Sequence, residues 1–370
     1  MNLAKRSHEH LLKTINKVSK KFTNFLLLFF FTGIIPVFAQ KNMVQFLAAG
    51  KQDANKLISS YVSPFLNTFG NNLNNGWYNT ADPLKLGRFC FTLGTTVSFV
   101  PSAERNFTID PADYNMIGTP SNQPVENPTM FGKNKTGQVI DVVYKDVPGS
   151  PKIPLKLPSG SGISFSPLPV AQLSVGLIKG TELMARIFPK INVGGYKLGY
   201  FGLGLKHSIK QWIPVIKKAP FDLSFIAAYT KASFELTKGP FLSPESGVLD
   251  TINANYSEQA IKFGSNAWNA NLIISKKFTV LTVFGGFRLS HSKTNLDLTG
   301  NYPITIYNNS GTKTICNLLD PVSLEGSGTQ FGLNAGLRVK LGFIAICAEG
   351  TFVPGGYSSA TAGLALGFFN

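Results

Sequence analysis

Ala360-Thr-Ala-Gly-Leu-Ala-Leu-Gly-Phe-Phe-Asn370 closes the chain and decides how the rest of it is read. Successive side chains of a β-strand point to opposite faces. Ala362, Leu364, Leu366 and Phe368 therefore share one face, and Thr361, Gly363, Ala365 and Gly367 share the other. An apolar face, a face of small or polar residues and an aromatic end describe a strand with lipid on one side and a lumen on the other. The strand resembles the closing strand that barrel-assembly machinery recognises in exported barrels, although here Asn370 follows the aromatic pair.

The same alternation recurs upstream. In Phe89–Phe99 the odd positions are Phe, Phe, Leu, Thr, Val and Phe, while Cys90, Thr92, Gly94, Thr96 and Ser98 are small or polar. Less pure versions fall at 171–178, 181–189, 196–207, 221–236, 260–275, 278–299, 329–340, 342–352 and 358–369. Most are near the length of about 9–11 residues with which a tilted strand crosses a bilayer. Every second connection is a short turn, at Lys179-Gly180, Lys276-Lys277 and Lys340-Leu-Gly342. The others include the long stretches 101–170, 237–259 and 300–328, rich in Pro, Asn, Gly and Ser. Short turns on one rim and long loops on the other belong to membrane barrels. Connections 190–195 and 353–357 are short for the long-loop rim. Segment 208–220 is long for the other rim and reads as a short interfacial helix with Trp212 at headgroup level. Region 136–168 leaves room for two further strands. The expected fold is all-β: a transmembrane antiparallel β-barrel of 10–12 strands over 88–370, with an N-terminal amphipathic helix.

Ahead of the barrel, Lys5, Arg6, Lys13, Lys17, Lys20 and Lys21 precede an apolar run from Phe25 to Ala39. The run contains Pro36 and is shorter than the roughly 20 residues of a spanning helix, so 1–39 reads as a signal peptide cut after Ala39. Cleavage removes six cations and Glu9, so the net charge of +16 falls by five. No remaining stretch is a transmembrane helix, which leaves a barrel as the only way into a membrane. The expected location is the outer membrane. The basic surface is matched to anionic lipid or lipopolysaccharide, since no nucleic-acid motif is present.

Residues 44–69 carry a helical stripe: Ala54, Leu57, Ile58, Tyr61, Val62, Phe65 and Phe69 at three-four spacing. Pro64 is expected to kink or shorten the helix, and Gly70–Gly76, rich in Asn and Gly, to form a turn. Segment 40–87 thus reads as periplasmic or plug-like. Its helix (about 54–66) is placed in or under the short-turn mouth, with Leu57, Ile58, Tyr61, Val62 and Phe65 as candidate plug residues.

Alternation assigns Glu182, Arg186, Lys206, Arg288, Arg338, Lys340 and Glu349 to the lumen. Mixed signs in a narrow bore point to a salt-bridge lattice, or to a charged constriction if the bore is open. Cys90 and Cys347 face inward but are held two strands apart, beyond disulfide reach. Three cysteines without paired spacing imply no metal site. His207 and His291 lack an acidic partner or nucleophile at useful spacing, so no enzyme and no cofactor is expected.

Phe69-Gly-Asn-Asn-Leu-Asn-Asn-Gly-Trp-Tyr-Asn-Thr80, Gln172–Glu182 and Lys206-His-Ser-Ile-Lys-Gln-Trp-Ile-Pro214 resemble a family of bacterial outer-membrane barrel proteins that bears only a domain-of-unknown-function label. The resemblance implies a barrel at the outer membrane and no activity. A looser likeness is to the long-chain fatty-acid transporters, whose barrels follow an N-terminal plug. Their Asn-Pro-Ala plug sequence is missing here, the nearest string being Asn79-Thr-Ala-Asp-Pro83. Three readings of function follow. In the first, a monomeric barrel passes or binds a small apolar or amphipathic molecule. The second is a closed structural or adhesive surface barrel. In the third, a soluble secreted barrel binds lipid inside, with Leu93, Val97, Leu333 and Leu337 in its core.

Overall fold

The computed structural model describes residues 41–143, 152–237, 239–250, 252, 254–307 and 312–369. The expected signal peptide and its cleavage point lie outside these residues. Ten antiparallel strands close into a barrel. They are β1 (Phe89–Phe99), β2 (Phe165–Gly176), β3 (Thr181–Val193), β4 (Tyr196–Ser208), β5 (Asp222–Leu236), β6 (Ala260–Phe278), β7 (Leu281–Thr299), β8 (Val322–Leu341), β9 (Ile344–Phe352) and β10 (Ser359–Gly367). Neighbours in sequence pair with each other, and β1 pairs with β10 to close the ring, Leu93 opposite Leu364.

Alternation sets the two faces as the sequence predicts. Leu203, Leu272, Phe287, Leu333 and Leu364 stand exposed on the outer wall. Their strand neighbours Asn271, Arg288 and Asn334 are buried inside. Exposed Phe89, Phe278, Phe343 and Phe368 ring the short-turn rim, and Phe99, Phe165, Phe331 and Phe352 ring the other. Ten residue steps from Phe89 to Phe99, at about 3.3 Å each and tilted about 40°, span about 25 Å, the height of the apolar band of a bilayer-spanning barrel. Leu333 and Leu337 are exposed, and the interior holds the buried charges and amides beside an apolar patch of Met184, Ile226, Ile273 and Phe284. The reading of a soluble barrel with these leucines in its core is therefore wrong.

Several boundaries differ from the sequence reading. β2 begins at Phe165 although it contains Pro167 and Pro169. Its proline-bearing half has no ladder to β3, whose pairing starts at Gln172. The Tyr200 hydroxyl covers part of that edge, donating to the Pro169 carbonyl and accepting from the Ala171 amide. Proline is tolerated where no ladder amide is required. The β6–β7 turn lies at Thr279-Val280, not at Lys276-Lys277; both lysines stay paired in the ladder. β8 starts at Val322, seven residues early. The strands in 136–168, Val139–Val142 and Ile153–Lys156, join Ile117–Gly118 in a separate small sheet, so the barrel count is ten and not twelve. Asn106–Ile109 with Val125–Pro128, and Asn301–Tyr307 with Lys313–Leu319, form two more small sheets from the long connections. The expected interfacial helix in 208–220 is reduced to one 3-10 turn, Lys210–Trp212.

The N-terminal segment departs furthest from expectation. A 3-10 turn, Lys41–Ala49, leads into α1 (Gly50–Leu73), which passes through Pro64 and consumes half of the predicted turn at 70–76. Its apolar stripe is buried against the long connections, not at the short-turn mouth. The Tyr61 hydroxyl donates to the Ser159 carbonyl, the Met130 amide donates to the Tyr61 carbonyl, and Asp53 accepts from the amides of Asn115 and Met116. Phe65 and Phe69 pack on Phe263 near the same rim, with ring centroids 5.0 and 4.6 Å away. The helix therefore enters from the long-loop end. The chain must then descend the whole lumen to reach Phe89 on the other rim.

Candidate functional site: a lumen threaded by its own chain

The last turn of α1 is anchored to the upper wall by asparagines. Asn71 donates to Ser98 Oγ and to the Tyr357 carbonyl, both at 2.8 Å. Asn72 donates to the Ser166 carbonyl at 2.7 Å and accepts from Ser98 Oγ at 2.8 Å. Asn74 reaches the His291 carbonyl and accepts from Asn269 Nδ2. The helix lies so close to β7 that a Cβ at Gly70 would sit 2.4 Å from Ser292 Oγ. At the same rim, Tyr357 bonds to Glu104 and accepts from Asn67. Burial, with Glu104 beside it, holds the Tyr357 phenol well above its usual range.

Trp77 is the central packing element. Its ring lies on Gly202 and Gly204 of β4; a Cβ on Gly204 would come within 2.8 Å of it. The Arg186 guanidinium stacks on the same ring at 3.9 Å. Trp77 Nε1 donates back to the Leu73 carbonyl. Below it, Tyr78 meets Phe284 edge to face. Thr80 Oγ1 and Ser275 Oγ are 3.2 Å apart, the Ala81 amide donates to Ser275 Oγ, and Ser224 Oγ donates to the Ala81 carbonyl. The Leu84 amide donates to Glu182 Oε2, and Gly87 joins the end of β2 through the Gly176 carbonyl. Near the short-turn rim lies a cavity of ≈ 30 Å³ bordered by Asn79, Asp82, Glu182, Lys206, Arg338 and Phe369. That holds a couple of waters at about 10–15 Å³ each.

The seven sequence-assigned lumen charges all sit on the inner wall. Glu182, Arg186, Lys206, Arg288, Arg338 and Glu349 are buried, and Lys340 is half-buried at the rim. The expected lattice does not form. Lys206 and Glu182 pair at 2.8 Å, but among the described residues Arg186, Arg288 and Arg338 have no carboxylate at ion-pair distance. Arg186 donates to Gln172 Oε1, the Asn75 carbonyl and the Leu73 carbonyl. Arg288 donates to the side-chain oxygens of Asn75 and Asn71. Arg338 stacks on Phe369. Glu349 accepts from Asn334 Nδ2. The threaded segment has taken the place of the opposite charges.

The candidate plug residues are displaced from their expected role. Leu57, Ile58, Tyr61, Val62 and Phe65 form the core between α1 and the long connections, whereas the lumen is filled by Asn71–Leu84. Sequence reasoning missed this stretch because asparagine runs favour turns. The usable signal was four asparagines followed by Trp77, a segment rich in donors and acceptors. Cys90 and Cys347 are both free and buried in one cluster with Leu84, Ala345, Ala365 and Phe369. His207 accepts from Trp212 Nε1 at 2.8 Å and contacts Thr181 Oγ1 through Nδ1, tying the 208–220 segment to the first turn.

A closed antiparallel barrel, apolar outside and with its buried charges inside, threaded by its own N-terminal segment, is a plugged transmembrane β-barrel. The model described as Family of unknown function (DUF6588) matches residues 18–368, and the chain belongs to that family. No curated protein matches it. Among solved structures, the attachment invasion locus protein Ail of Yersinia pestis is 8% identical, covering 76% of this chain and 97% of that one, at a TM-score of 0.25. The translocator domain of autotransporter NalP from Neisseria meningitidis is 9% identical, covering 86% and 98%, at 0.27. A Pseudomonas aeruginosa FadL homologue is 10% identical, covering 76% and 90%, at 0.24. At these TM-scores the likenesses carry no further argument.

Proposed function

We propose that the protein is an outer-membrane barrel that passes small hydrophilic solutes when its N-terminal segment leaves the lumen. One observation carries the reading: the inner wall is built largely of small residues, and a separate segment fills the space they leave. Thr96, Ser98, Gly202, Gly204, Ser224, Thr230, Ser265, Ser290 and Thr294 face inward. A barrel meant to stay shut fills a narrow bore with its own wall side chains. Here Asn71–Leu84 does so, held by the packing of Trp77 and by hydrogen bonds that each contribute about 0.5–1.5 kcal/mol net, or about 1.5–3 where an arginine donates. The helix stripe that suggested an apolar cargo is buried elsewhere, and the arginines and hydroxyls of the bore favour hydrophilic solutes over the smaller apolar patch of Met184, Ile226, Ile273 and Phe284. Placement in the outer membrane is supported by the lipid-facing band and by the export-type residues at 1–39.

The filled lumen also favours a second reading, a permanently closed barrel that displays the three small sheets of its long connections. Planar-bilayer recording of the full-length protein separates the two. The gated reading expects a silent wild type and stepwise conductance from Asn71→Ala/Asn75→Ala, which removes the oxygens bonded to Arg288. Persistent silence of a folded variant would favour the closed surface barrel.

A further inference from the structure

Five of the seven sequence-assigned lumen charges are cations; the plug meets Arg186 and Arg288 with neutral oxygens, and its one acid, Asp82, lies at the short-turn rim. Glu182 is engaged by Lys206 at 2.8 Å. Arg186 and Arg288 are essentially fully buried, and an unpaired buried charge is costly. Their donors end on the carbonyls of Leu73 and Asn75 and on the side-chain oxygens of Asn71, Asn75 and Gln172. The Nε groups of Arg288 and Arg338 have no partner although both residues are more than nine-tenths buried. Arg186 and Arg288 thus hold oxygens supplied by the plug, and Arg288 keeps a donor to spare. A guanidinium fork fits the paired oxygens of a carboxylate or phosphate better than neutral amides.

We infer that the unplugged lumen is an anion path in which Arg186 and Arg288 bind and select small oxyanions at the positions now filled by plug oxygens. The inference rests on the gated reading and names its solute class. Arginine and lysine lining a constriction favour anions over cations. Glu182 remains tied to Lys206, so withdrawal of the plug exposes Arg186 and Arg288 without exposing a matching carboxylate ring. Among the described residues the other inward acids of the wall are Glu349 and, at the short-turn rim beside Lys210, Asp222.

The test is the reversal potential of full-length Asn71→Ala/Asn75→Ala under a tenfold potassium chloride gradient, repeated with potassium phosphate. A gel shift on heating verifies folding. If the variant does not fold, wild-type protein loosened by urea after insertion takes its place. The expected result is a chloride permeability several-fold above that of potassium, and measurable phosphate current or phosphate block. Adding Arg186→Gln/Arg288→Gln should bring the chloride preference down several-fold. Openings with no preference, or a preference for potassium, would overturn the anion assignment and leave gating intact. Silence of the folded variant, or of the urea-loosened wild type where it stands in, would overturn gating and the anion path with it.

Discussion

Trp77→Ala should open the lumen without unfolding the barrel. Trp77 is 1% exposed, rests on Gly202 and Gly204, and carries the Arg186 guanidinium on its ring. Truncating a buried aromatic to alanine costs about 3–5 kcal/mol. The ring packs between plug and wall, and no ladder hydrogen bond depends on it, so the loss falls on docking of the segment. At about 1.4 kcal/mol per tenfold, the undocked population rises by roughly two to three and a half decades. Amide hydrogen exchange of residues 74–84 in detergent-solubilised protein reads this directly. Exchange there should accelerate by that factor, while ladder amides of β6–β8 keep their protection. Unchanged exchange at 74–84, or equal loss across β6–β8, would refute the claim that Trp77 fastens a separable plug.

Three further outcomes follow from the same geometry. Gly204→Val places a branched side chain where even a Cβ lies 2.8 Å from the Trp77 ring; it should raise exchange at 74–84 as Trp77→Ala does, with the ladder intact. Leu337→Arg puts a charge on the outer wall midway between the rim residues Phe331 and Phe343, where an arginine near the bilayer midplane costs about 2–4 kcal/mol; the folded fraction in lipid vesicles, read by the heat-dependent gel shift in a urea titration, should fall accordingly. An epitope inserted beside Lys41 should be reached by antibody on intact cells together with one in the long connection 237–259, whereas one at the 342–343 turn should stay hidden until the envelope is opened.

The wall was legible in the sequence because its determinant is local. A period of two, apolar and small, survives any tertiary arrangement, and all ten strands were found by it. Its ends were less legible. Pro167 and Pro169 argue against a central strand, and only the unpaired edge beside β3 makes them acceptable. Lys276 and Lys277 look like a turn, yet the reversal falls at Thr279, a residue without a turn preference that takes a φ of 51°. The lumen charges were readable from alternation, but their partners were not. Asn71, Asn72, Asn74 and Asn75 have weak helix preference in water. The wall supplies hydrogen bonds that keep the first two helical, which is a long-range effect that no local window contains. The direction of threading was hidden for the same reason: an amphipathic stripe shows that a helix is covered and not what covers it.

The most direct test of the account is a cross-link between plug and wall. Thr80 Oγ1 and Ser275 Oγ lie 3.2 Å apart near the short-turn end of the bore. In a chain with Cys90, Cys316 and Cys347 replaced by alanine, Thr80→Cys/Ser275→Cys should form a disulfide under mild oxidation in the native membrane. The product should appear as a faster band on a non-reducing gel, lost on reduction and absent from either single variant. A folded barrel in which this pair never joins would contradict a lumen crossed by residues 71–84.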